Sequence, residues 1–194
     1  MEEDSLISYF NTFIPLTEDE ITSIKSRVTQ RTIKRRQMIL QEGFLCKHYS
    51  FVVEGCFKMY GVDDRGNEHN IQFAAENDWI MDIGSFHSKK PSQLFIEAIE
   101  PSVVLQIEQH DLYFLYINIP KLDRIFKVIV ENKFVELQNR VLQTFSSTAE
   151  TRYLSFLEQY PKLASRLPNT QIASYLGITP EFLSKIRKDV SRKL

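Results

Sequence analysis

Apolar positions along the chain change period twice, from helical to alternating and back to helical. Leu6, Ile7, Tyr9, Phe10, Phe13 and Ile14 recur at helical intervals over residues 5–16. Thr17 and Glu20 then make a capping box that opens a second short helix to about Val28. From Thr32 onward the pattern becomes short extended runs at 38–40, 49–53, 56–62, 69–74, 94–99 and 102–107, rich in Val, Ile, Phe and Tyr. Turn chemistry separates them, notably Gly43, Gly55, Asp63-Asp-Arg-Gly-Asn67 and Lys89-Lys-Pro-Ser92. Strands at this spacing predict a small antiparallel sandwich or barrel.

Beyond Gln109 the helical period returns, and Leu122, Ile125, Phe126, Ile129, Val130, Phe134, Leu137, Val141 and Leu142 recur three and four apart. A helix from Pro120 to about Phe145 would be roughly 39 Å long at about 1.5 Å per residue. That is too long and too apolar to be covered only by its own small barrel. Packing against the barrel is the simpler use of such a stripe. The pattern favours a second copy of the same helix, with Phe126, Val130, Phe134, Leu137 and Val141 on the seam of a homodimer. Ser147 and Glu150 suggest another capping box, opening a helix through Tyr160 with Tyr153, Leu154 and Leu157 as its buried face and Pro161 as its end.

Residues 169–188 read as two short helices around a sharp turn. Ile172, Ala173 and Leu176 share a face of the first, and Gly177 stands where a helix stop needs positive φ. Thr179 offers an N-cap hydroxyl and Pro180 takes the first position of the second helix, whose Leu183 and Ile186 face inward. Glu181, Ser184, Lys185 and Lys188 face outward. This is the pattern of a helix-turn-helix, whose second helix enters the DNA major groove.

Charge supports that reading, because residues 151–194 carry eight Lys/Arg against three Asp/Glu while the whole chain has 24 against 25. The acidic start Met-Glu-Glu-Asp-Ser lacks the basic flank and apolar run of a signal peptide, and no apolar stretch nears the ~20 residues of a membrane span. A cytoplasmic protein without membrane contact is expected. Cys46 and Cys56 are too few for a disulfide framework and read as reduced packing residues. His48, His69, His87 and His110 show no ligand spacing, so neither a metal site nor a catalytic constellation is expected.

The order of these parts resembles the bacterial catabolite-activator and fumarate-nitrate-regulator (Crp/Fnr) family of transcription regulators over nearly the whole chain. The most specific pieces are Glu42-Gly43, Val53-Glu-Gly55, Asp78-Trp-Ile-Met-Asp-Ile-Gly84 and Ile172-Ala-Ser-Tyr-Leu-Gly-Ile-Thr-Pro-Glu181. The resemblance implies an α+β fold: an N-terminal cyclic-nucleotide-binding-like antiparallel β-roll (jelly roll), a long dimerisation helix and a C-terminal helix-turn-helix of winged-helix type with a reduced or absent wing. The expected domains are 1–118 for the roll with its helical lead-in, 119–146 for the long helix and 147–194 for the DNA-binding part. A dimer hinge would fall near residues 143–148.

The resemblance places Glu181 and Lys185 at positions that reach base edges and Thr179 near a phosphate. The expected DNA-contacting set is Asn169, Thr170, Thr179, Glu181, Phe182, Ser184, Lys185, Arg187 and Lys188, with Arg192 and Lys193 serving phosphates or solvent. Expected partners are double-stranded DNA carrying an inverted-repeat operator, a second copy of the chain and RNA polymerase. By the same resemblance the effector pocket comprises Met81, Asp82, Ile83, Gly84, Ser92 and Gln93. Met81-Asp82 stands where the family has Gly-Glu, and Ser92 where it has the arginine that pairs with a cyclic phosphate. An effector other than cyclic AMP is therefore expected, with no firm cofactor. The competing readings are a cupin-like β-barrel enzyme, for which one His in 69–74 is a poor ligand set, and a cyclic-nucleotide-dependent adaptor without DNA affinity.

Overall fold

The computed structural model describes residues 2–192 and divides into two compact units. One holds the residues up to Gly61 together with Gln72–Val130; the other holds Val62–Ile71 and the residues from Glu131 onward.

In the first unit, α1 (Glu2–Asn11) and α2 (Glu18–Lys25) lead into a roll of two four-stranded sheets. One sheet has the order β1 (Thr29–Ile33), β8 (Ser102–Glu108), β3 (His48–Glu54), β6 (Trp79–Ile80). The other has β2 (Met38–Leu40), β7 (Phe95–Ala98), β4 (Phe57–Val62) and β5 (Glu68–Ala74), of which Val62 and residues 68–71 are counted with the second unit. The capping box expected at Thr17 is present: Thr17 N–H donates to Glu20 Oε2 at 2.7 Å and Thr17 Oγ1 accepts from Glu20 N at 3.4 Å. Strands β1 and β6 were not expected. The first is exposed except at Ile33, and the second has only two residues, so neither shows a usable apolar period.

The first sheet is buried on both faces at its centre. Alternation along β3 puts Tyr49 and Phe51 on one side and Ser50 and Val52 on the other, all inaccessible. Tyr49 and Phe51 join an aromatic cluster with Phe10, Trp79 and Phe126, where ring centroids lie 5.1 Å apart for Trp79 and Phe126, 5.2 Å for Phe51 and Trp79 and 5.7 Å for Phe10 and Phe126. Offset and edge-to-face pairs of this kind add about 0.5–1.5 kcal/mol each to the burial of their surface.

After α3 (Ile83–Ser88) and α4 (Gln109–Asn118), α5 runs unbroken from Pro120 to Ser146. Its first turns bury Leu122, Ile125, Phe126 and Ile129. Phe126, expected on a dimer seam, is a correction: its ring sits in the aromatic cluster and is 2% exposed, so it offers no surface to a partner. Phe134, Leu137 and Val141 are half exposed, and Leu142 and Phe145 more so.

In the second unit, α6 (Ala149–Gln159) is capped by Thr148, which accepts from Thr151 N at 3.2 Å, rather than by Ser147. The cap falls one residue later because α5 continues to Ser146 and Ser147 N–H still bonds Gln143 O. The buried face is Tyr153 and Phe156, while Leu154 is exposed. Phe156 wins because its ring meets Tyr160 and Tyr175, with centroids 5.4 and 5.5 Å away. The unit closes with α7 (Asn169–Leu176) and α8 (Pro180–Ser191).

Two glycines in left-handed backbone test how tightly the roll is built. Gly55 has φ +96, and a Cβ there would lie 2.1 Å from Ser102 Oγ and 2.8 Å from Pro101 O; Gly66 has φ +83 and open space. Gly66→Ala should cost only the left-handed penalty of about 1–2 kcal/mol. Gly55→Ala adds overpacking and should cost about 3 kcal/mol or more, read from urea midpoints. Equal losses at the two sites would show that the Gly55–Ser102 approach carries no weight.

Candidate functional site

The turn between α7 and α8 is built by local chemistry. Gly177 adopts φ 66, ψ 38 and its N–H returns to Ala173 O and Ser174 O, closing α7. Thr179 has extended backbone and accepts from Phe182 N at 3.2 Å, and Pro180 opens α8. Ile172, Ala173 and Leu176 of α7 and Leu183, Ile186 and Val190 of α8 are buried.

This packing fixes which side of α8 is free. Glu181, Phe182, Ser184, Lys185 and Lys188 are exposed on it, as are Thr170 of α7 and Thr179. Phe182, at 48% exposure, is a large apolar ring held in solvent. Asn169 and Arg187 are half-buried and paired, the guanidinium Nη1 donating to Asn169 Oδ1. Arg192 is exposed, and Lys193 lies outside the described residues. The geometry offers an exposed helix with two free ammonium groups, one carboxylate and hydroxyls, a set able to donate to phosphates and to guanine edges and to accept from cytosine.

A second arrangement in this unit escaped sequence reading. Arg140 of α5 donates Nη2 to Asn70 O at 2.8 Å and to Tyr175 O at 2.9 Å, and Nη1 to Ile71 O, while its guanidinium lies 3.9 Å over the Tyr175 ring. Asn70, 2% exposed, donates Nδ2 to Gln171 O and Oε1, and its N–H goes to Ser174 Oγ at 3.0 Å. Ser174 Oγ in turn donates to Glu68 O at 2.7 Å. The segment Val62–Ile71 is thereby fastened to α7, the first helix of the helix-turn-helix. Nothing in the sequence marked it, since Arg140 is one of several basic residues on a polar side of α5. The segment is itself stiffened by Asp63, which accepts from Arg65 N, Asn67 N and the His69 ring. The His69 bond, first among these, holds the Asp63 carboxyl well below the usual range.

The six positions expected to hold an effector come together only in part. Asp82 caps α3, its Oδ1 accepting from Ser85 N at 3.2 Å, and its Oδ2 accepts from Ser92 Oγ at 2.6 Å. Ser92 is buried and also takes Leu94 N at 3.0 Å. Met81 is half-buried, whereas Ile83, Gly84 and Gln93 are exposed. Both Asp82 oxygens thus already serve the fold, and the left-handed Lys89 that ends α3 keeps its side chain, like that of Lys90, in solvent.

Residues 30–118 match the model of the cyclic nucleotide-binding domain. The chain is similar to electron transport regulator A of Shewanella oneidensis, 25% identical over 87% of this chain and 70% of that protein. It is also similar to the fumarate and nitrate reduction regulatory protein of Vibrio cholerae, 24% identical over 95% of this chain and 78% of that protein. In fold it is similar to FixK2 from Bradyrhizobium japonicum, with a TM-score of 0.73, 19% identity and coverage of 86% and 85% of the two chains. A putative Crp/Fnr regulator from Eubacterium rectale gives 0.71, with 16% identity and coverage of 96% and 88%. The resemblance to the Crp/Fnr regulators therefore holds in sequence and in fold.

Two outcomes follow from this geometry. Arg140→Ala should cost about 2–3 kcal/mol, because several charge-assisted bonds go at once. Amide exchange should then accelerate at Ile71 and Ser174 while the β3 amides stay protected, and uniform acceleration in both units would refute a local fastening. Cyclic AMP should show no micromolar binding in calorimetry, since a missing cation for its phosphate costs about 2–5 kcal/mol. Micromolar binding abolished by Asp82→Ala would restore a cyclic-nucleotide site in the roll.

Proposed function

We propose that the protein is a dimeric, sequence-specific DNA-binding transcription regulator acting in the cytoplasm, with the roll as a sensor of a small effector or as a scaffold. The observation that carries this reading is the exposed face of α8, where Lys185 and Lys188 stand beside Glu181 and Ser184 on a helix braced against α7. The named relatives are regulators, and catalysis is not part of the reading.

Homodimerisation is supported by the half-exposed Phe134, Leu137 and Val141 on α5, a run that water leaves poorly solvated. A two-fold axis along that seam implies an inverted-repeat operator with half-sites about one helical turn, or ~34 Å, apart. RNA polymerase is the expected further partner. No helix among the described residues is long and apolar enough to cross a membrane.

Selection from random duplex should return such an inverted repeat. On it, Lys185→Ala should lose about 1–3 kcal/mol and relax preference at one base position, measured by gel shift. Loss of equal size on scrambled duplex would remove base reading from Lys185. Leu137→Asp would set a carboxylate in the seam and should weaken the dimer, seen by sedimentation. A wild-type monomer at micromolar concentration would defeat the dimeric reading.

A further inference from the structure

Between the two sheets of the roll lies a cavity of about 290 Å³ whose lining includes none of the six positions expected for an effector. Met38, Leu40 and Ile96 line it from one sheet, and Ile80, the cross-strand partner of Ser50, adds an apolar side chain from the other. The rest of that second sheet's lining is polar. Alternation along edge strand β1 puts Arg31 on the same face as Ile33, and the register pairs Arg31 with Val104 and Ser50 with Gln106. Arg31 Nη1 donates to Gln106 Oε1 at 3.0 Å, and Gln106 Nε2 donates to Ser50 Oγ at 2.9 Å. Gln106 and Ser50 are 3% and 2% exposed.

The chain thus runs from the exposed Arg31 guanidinium at the mouth to a buried amide and hydroxyl, and burying those two polar groups is costly where aliphatic side chains would fill the space more stably. Lys47 and His48 also line the cavity, and no carboxylate does. Burial, the largest cause, holds the His48 imidazole below its usual range, so the basic side chains that mark this lining are Arg31 and Lys47. Burial also pushes the Cys46 thiol up to about 11, which keeps that side of the cavity uncharged. At the rim, Phe44 and Leu45 stay 64% and 42% exposed, an apolar lip over the opening.

We infer that this cavity binds a small organic monocarboxylate with an apolar body, its carboxylate on Arg31 and its tail against Leu40, Ile80 and Ile96. Space for about ten non-hydrogen atoms, at ~30 Å³ for each water-sized group, sets the size class. The assignment rests on the reading of the roll as a sensor. Its test uses no DNA, so operator recognition can fail without touching it.

Octanoate is the probe, titrated into the full-length protein by calorimetry with octanol as its uncharged counterpart. Saturable one-to-one binding is expected for octanoate, with octanol at least ~10-fold weaker, the size of one lost charge-assisted contact. Arg31→Gln keeps a donor for Gln106 and, being at an exposed position, should leave folding intact while weakening octanoate ~10-fold. Ile39→Trp, which fills the cavity, should abolish binding, and methyl resonances of Ile80 and Ile96 should shift on titration of the wild type. Absence of binding at millimolar octanoate, equal affinity for octanol, unchanged affinity in Arg31→Gln, or shifts centred on Ile83 rather than Ile96 would each overturn the assignment.

Discussion

One continuous helix has to satisfy two different surroundings. The first turns of α5 are committed to the aromatic cluster through Phe126, while the apolar period continues to Phe145 and stays half exposed or more at Phe134, Leu137, Val141 and Phe145. A helix cannot change face without breaking its hydrogen-bond ladder, so the residues after Val130 keep the stripe and expose it. The same rigidity delivers Arg140, on another side of the helix, to the carbonyls of Asn70, Ile71 and Tyr175. The exposed stripe and the fastening of the helix-turn-helix thus draw on different faces of one element.

Local chemistry made the reading motif legible from its residues. Gly177, Thr179 and Pro180 each act within a few positions of themselves, and the αL residue, the N-cap and the first helical position occur where those side chains demand. The same holds for the capping box at Thr17 and for the longer strands, whose runs of β-branched and aromatic residues span several consecutive positions. Where local signals were degenerate, tertiary context decided. Ser147 and Thr148 are equally good caps, and only the end of α5 chooses between them; Leu154 and Phe156 are equally apolar, and only the nearby Tyr175 ring favours the latter.

The site divides in the same way. Exposure of Lys185 and Lys188 could be read from period alone, because a helix packed on one side must show the other. The Arg140 contacts could not, since they join residues 35 to 70 positions apart through main-chain atoms. The bond from Arg31 to the buried Gln106 was equally hidden: an arginine in a basic, polar stretch looks wholly solvated until its strand is known to be the edge of a sheet. At Asp82 and Ser92 family resemblance located the segment, but the 2.6 Å bond between them, which engages the carboxylate, belongs to this chain's own side chains.

The Arg140 fastening reads peptide carbonyls, which every amino acid supplies. Mutational drift at Ile71 would therefore leave its bond intact, since the oxygen bonded there does not depend on the side chain attached. Such a clasp can persist through extensive divergence of the segment it holds. Two relatives could share it while aligning poorly across residues 62–71, with a single arginine on the long helix as its only trace in either sequence.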